Sequence, residues 1–90
     1  MKYVINKENI VWSLDKEEEI VCLNLDSGVY YGINNETGKD IWLFLQEPKT
    51  QQEIVQYLYE MYDVEITELE NDCRNILEEL KTNNLLILVE

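Results

Sequence analysis

Three features of this 90-residue chain predict an α+β fold, a three-stranded antiparallel sheet followed by three helices and a short C-terminal strand. Short β-branched and aromatic runs, separated by turn residues, fill the first third. The apolar spacing then changes from two to about 3.6 residues, with helix-start signals at Thr50 and Thr67. Last comes an apolar run, Leu85-Leu86-Ile87-Leu88-Val89, with the composition of a buried strand.

The first strand is Ile10-Val11-Trp12-Ser13-Leu14, followed by a charged turn at Asp15-Lys16-Glu17-Glu18. The second is Ile20-Val21-Cys22-Leu23-Asn24-Leu25, in which a period of two puts Val21, Leu23 and Leu25 on one face. Asp26-Ser27-Gly28 reads as a tight turn, with Gly28 free to take a positive φ. Val29-Tyr30-Tyr31-Gly32-Ile33 returns as the third strand, completing a hairpin. Asn34 or Asn35 can then cap a helix that runs through Ile41, Trp42, Phe44 and Leu45 to about Gln46. Glu47-Pro48-Lys49 breaks that helix. Thr50 and Glu53 form a T-x-x-E capping box for a second helix, which carries Ile54, Val55, Leu58, Met61 and Tyr62. A second such box, Thr67 to Glu70, opens a third, with Leu69, Cys73, Ile76, Leu77 and Leu80 on one stripe; Asn83-Asn84 ends it. Three helices beside a small antiparallel sheet give the outline of a winged helix-turn-helix.

Charge narrows the function classes. Nineteen acidic and 7 basic side chains give a formal charge of −12. Because 46% of the residues are hydrophobic and 10% aromatic, the chain is no disordered acidic tail. A domain of this size is expected to be stable by only about 5–10 kcal/mol. Nucleic acid is an unsuitable partner, since phosphate must be neutralised by Lys and Arg, and an anionic membrane surface repels the chain for the same reason. The third helix would be the DNA reader of the fold. Between Ile66 and Thr82 it carries Glu68, Glu70, Asp72, Glu78 and Glu79 against Arg74 and Lys81. That imbalance turns the usual role away.

Catalysis has little material. There is no histidine, so neither a Ser-His nor a Cys-His nucleophile pair exists. Glu78-Glu79 and Glu17-Glu18-Glu19 read as solvated faces rather than as acid/base pairs. Gly38-Lys39 lacks the flanking Gly and Ser or Thr of a phosphate loop, and no EF-hand run occurs. Cys22 and Cys73 make neither a CxxC pair nor a zinc set, and read as two small buried hydrophobes. No cofactor or metal is expected. Asp26-Ser27 resembles the attachment site of a phosphopantetheine carrier, but Gly28 follows and both flanks are strand-like, so a hairpin turn is the plainer reading. The N-terminal residues Met1 to Lys7 lack an apolar signal region, and no apolar run approaches the roughly 20 residues of a membrane span, so a cytoplasmic location is expected.

Binding of a peptide or protein remains. Val29 to Ile33 has no charge, proline or bulge to guard it as an edge strand. Either the Leu85–Val89 strand covers that edge, or the edge is offered to a partner strand. A different class of function is an acidic winged-helix protein that contacts a regulator or mimics DNA.

From about Leu25 to Leu88 the chain resembles the PqqD-like family, the peptide-recognition elements of ribosomal peptide modification pathways. The residues that carry the resemblance are Leu25-Asp26-Ser27-Gly28-Val29-Tyr30-Tyr31-Gly32-Ile33-Asn34, Gly38, Ile41-Trp42, Leu45, Pro48-Lys49-Thr50 and Glu53-Ile54-Val55. Tyr62-Asp63-Val64, Leu69 to Asp72 and Leu77 to Leu80 complete it. The Tyr-Tyr-Gly-Ile-Asn turn and the Ile-Trp pair look most like the stand-alone version of lasso-peptide biosynthesis.

The resemblance implies one PqqD-like domain over residues 1–90 with no catalytic role. Such a domain binds the leader of a precursor peptide as an added antiparallel strand, between the third strand of the sheet and the third helix. It then presents the precursor to a separate enzyme, a leader peptidase in lasso pathways or a radical-SAM enzyme in the pyrroloquinoline quinone pathway. Carried onto this chain, backbone pairing falls to Val29, Tyr30, Tyr31, Gly32 and Ile33. Side-chain pockets fall to Tyr30 or Tyr31 and to Asp72, Cys73, Ile76, Leu77 and Leu80, with ordinary core packing as the alternative for the aliphatic ones. Asp72 lies off the apolar stripe and suits a polar contact. The acidity adds a sign: the leader, or a face of the enzyme that receives it, is expected to be basic.

Overall fold

The computed structural model describes residues 1–90. In chain order it comprises β1 (Lys2–Ile5), β2 (Ile10–Leu14), β3 (Ile20–Asn24), β4 (Tyr30–Ile33), α1 (Glu36–Phe44), α2 (Gln51–Met61), α3 (Ile66–Thr82) and β5 (Leu86–Val89). Strands β2, β3 and β4 form the three-stranded antiparallel sheet, with β3 in the middle. This is the α+β, winged-helix-like arrangement expected from the sequence.

One strand was not legible. β1 pairs antiparallel with β5, Lys2 opposite Val89 and Ile5 opposite Leu86. Its other side is held by reciprocal bonds between Tyr3 and Lys49 (2.7 and 3.0 Å) and by Ile5 N–H donating to Leu45 O at 3.2 Å. Four residues are too few to carry a periodic signal, and only distant partners make them a strand. The pairing also decides between the two readings of the sheet edge. β5 is taken by β1, so β4 is left as an open edge.

The hairpin between β3 and β4 is built from local chemistry. Asn24 Oδ1 accepts from the backbone N–H groups of Asp26 and Ser27 (2.9 and 3.2 Å), and Ser27 Oγ accepts from Val29 N–H. Gly28 takes φ of +73°, a conformation that penalises any side chain. In β3 the core face is Ile20 and Cys22, both fully buried, whereas Val21, Leu23 and Leu25 share the opposite, more open face.

Asn35, rather than Asn34, caps α1, its Oδ1 accepting from Gly38 N–H at 2.8 Å. The Thr50–Glu53 box forms at α2 in both directions, at 3.1 and 2.8 Å, and those bonds hold the Glu53 carboxyl below its usual range. The expected box at Thr67–Glu70 does not form. α3 begins one residue earlier, at Ile66, with Glu65 as its cap and no side-chain cap bond. Thr67 therefore lies within the first turn, where its backbone is already helical and cannot take the extended cap conformation. Thr50→Ala is accordingly expected to cost about 1 kcal/mol in urea denaturation, and Thr67→Ala less than about 0.5 kcal/mol. Asn83 ends α3, and Asn84 turns the chain with φ of 62°.

The 17 buried apolar residues form one cluster between the sheet and the helices. Trp42 is its largest member and meets Trp12 edge-to-face, with ring centroids 6.0 Å apart. Both cysteines are buried and free, and burial pushes each thiol up to about 11. No helix is long and apolar enough to cross a membrane.

Candidate functional site: a groove between β4 and α3

The ladder of the sheet determines which backbone groups of β4 are free. Leu25 N–H donates to Asn9 O and Asp15 N–H to Glu19 O, so odd-numbered positions along β3 point toward β2. Asn24 N–H donates to Val29 O at 3.0 Å, so even-numbered positions point toward β4. By antiparallel alternation, Tyr31 and Ile33, opposite Cys22 and Ile20, direct their backbone groups to β3. Tyr30 and Gly32, opposite Leu23 and Val21, turn their N–H and C=O groups outward to the open edge.

Side chains alternate in the same way. Tyr31 and Ile33 face the core side, whereas Tyr30, 68% exposed, stands on the opposite face beside Leu23. Of the two tyrosines, Tyr31 is thus the one in the groove. Facing it is α3, and between them lies a cleft of about 220 Å³ lined by Tyr31, Gly32, Ile33, Ile76, Glu79 and Leu80, with Asn34, Asn35 and Gly38 at one side. A second depression continues from Tyr31 toward Thr82, Asn83 and Ser27, and a third from Asn35 and Ile76 toward Asp72 and Asn75. The stretch of α3 from Asp72 to Thr82 rises about 15 Å, which matches about four or five residues of extended chain.

Of the residues singled out from the sequence, Tyr31, Gly32, Ile33, Ile76 and Leu80 come together in the cleft, and Asp72 lies in the adjoining depression. Val29 borders the other end and is 62% exposed. Cys73 and Leu77 are 0% exposed and sit in the core, beneath the groove surface rather than on it. The stripe they share with Ile76 is wider than the groove, so its central members go to packing.

Sequence reasoning missed Glu79, which it placed on a solvated face. The Tyr31 hydroxyl donates to Glu79 Oε1 at 2.8 Å, a bond that spans the groove from strand to helix. Burial, then the bond to Glu79 and its charge, push the Tyr31 hydroxyl up to about 12, so it remains a neutral donor. Glu79 lies three residues beyond Ile76 on α3, a helical spacing that places the two on one face. That spacing was the available signal. No three His, Cys, Asp or Glu side chains converge in a way that could hold a metal ion.

Fold and site together define an acidic winged-helix-like protein with an open strand edge beside a helix-walled groove. The chain belongs to the PqqD family: the family model described as coenzyme PQQ synthesis protein D matches residues 19–86. Among solved structures, it is similar to TbiB1 in complex with the TbiA(beta) leader peptide, with 31% identity and a TM-score of 0.82. That match covers 97% of this chain and 98% of the other. A lasso peptide synthetase B1 complexed with a leader peptide shares the fold at a TM-score of 0.82, with 24% identity over 98% of this chain and 100% of that one. No curated protein matches the chain.

Proposed function

We propose that residues 1–90 act as one non-catalytic domain that binds the leader region of a lasso precursor peptide. The leader adds to β4 as an antiparallel strand, and the domain delivers it to a maturation peptidase or modifying enzyme. The observation that carries this reading is the open edge of β4, with the outward backbone groups of Tyr30 and Gly32 placed beside the cleft of Ile76 and Leu80. Family membership and the likeness to TbiB1 with its leader peptide support it.

In this reading Val29 to Ile33 supply the edge, Tyr31, Ile76 and Leu80 receive side chains, and Asp72 takes a polar contact. Cys73 and Leu77 hold the floor in place. Edge hydrogen bonds with one or two apolar anchors correspond to a dissociation constant of about 10⁻⁶–10⁻⁸ M. Fluorescence polarisation tests this with the labelled TbiA(beta) leader, the peptide that TbiB1 binds. Saturable binding in that range is expected, and a scrambled leader that binds equally well would overturn the proposal.

A further inference from the structure

The groove has a charge sign that its strand edge does not. β4 and its flanks, Val29 to Asn35, carry no ionisable side chain except the two tyrosines. The groove face of α3 presents Asp72 and Glu79 with no cation between them. Arg74 donates to Asn71 Oδ1 at 2.7 Å, and Lys81, two residues from Glu79, projects from another side of the helix. Lys39, next to Gly38 of the cleft, ties its ammonium to Glu18 O at 2.9 Å. The last carbonyls of α3 add partial negative charge at the Thr82 end.

Glu79 is the acid best placed to read an incoming side chain. Tyr31 satisfies only its Oε1, leaving Oε2 free to accept. A strand added to β4 would exchange backbone bonds with Tyr30 and Gly32. The residue opposite Tyr31 would then form a non-hydrogen-bonded pair, in which side chains approach most closely. Its side chain would point into the groove, against Tyr31 and Glu79. In an antiparallel strand the residue opposite Ile33 lies two positions earlier, and its side chain would meet Ile76 in the cleft.

We propose that Glu79 sets the specificity of the groove for a basic side chain, so that the bound segment reads apolar-x-(Lys/Arg), with the basic residue opposite Tyr31 and the apolar one opposite Ile33. This inference rests on the leader-groove reading above and names the chemistry that the groove selects. Random 12-residue peptides displayed against the immobilised protein test it without knowledge of the precursor. Enriched peptides are expected to carry the apolar-x-(Lys/Arg) pattern and to bind about tenfold more weakly to Glu79→Gln, which keeps an acceptor for the Tyr31 hydroxyl. Selection against Glu79→Lys is expected to replace the basic residue by Asp or Glu. Enriched peptides that lose binding to Tyr30→Pro but show no basic preference, or keep that preference against Glu79→Gln, would overturn the role of Glu79 and leave the groove reading standing. Peptides indifferent to Tyr30→Pro, or no enrichment, would overturn both.

Discussion

Tyr30→Pro is expected to weaken leader binding by roughly 30- to 150-fold, about 2–3 kcal/mol, while leaving the domain folded. The selectivity comes from the alternation along β4. The Tyr30 N–H points to the open edge and makes no bond to β3, so proline removes a donor that only an added strand would use. Its bulk on that edge also blocks close approach of the strand. The residue before a proline is driven toward extended backbone, which Val29 can adopt where its carbonyl already accepts from Asn24. Tyr31→Pro is the contrasting variant: it removes a ladder bond to Cys22 and the bridge to Glu79, and destabilises the sheet itself. Circular dichroism and polarisation, measured on both variants, separate the two effects. A Tyr30→Pro protein that binds its leader normally would move the binding surface away from β4.

Trp42→Ala is expected to remove about half of the stability of the domain. Trp42 is fully buried and packs edge-to-face on Trp12, joining α1 to the sheet. Truncating a buried tryptophan costs about 3–5 kcal/mol. Against the roughly 5–10 kcal/mol expected for a domain of this size, that is about half, and the urea midpoint should fall in proportion. Trp42→Phe should cost less than half as much. The Trp42 Nε1 donor is buried without a hydrogen-bond partner, so phenylalanine gives up no bond and relieves an unsatisfied group. Equal losses from the two substitutions would contradict this account of the site.

Features governed by near neighbours in the chain were readable in advance. Asn24, Ser27 and Gly28 make their turn with bonds that span three residues or fewer. Thr50 and Glu53 complete their box across one helical turn. Thr67 and Glu70 have the same spacing, yet α3 starts ahead of them, with Glu65 as its extended cap and Ile66 already helical. A capping motif states what a helix start can be, not where packing will put it.

The groove was legible in part for the same reason. The apolar stripe of α3 and the unguarded Val29–Ile33 run are properties of their own segments. Local patterning of this kind specified an α+β chain with a strong hairpin, three helices and an acidic third helix. Three matters depended on contacts between segments distant in sequence, and the tertiary structure alone decided them. β1 captures β5 and so leaves β4 open; Cys73 and Leu77 sink into the core while Ile76 and Leu80 stay at the cleft; and Tyr31 reaches Glu79. Local sequence encodes periodicity and caps through bonds a few residues long. The partner of a strand edge, and the groove face of a helix, depend on which distant surfaces compete for burial.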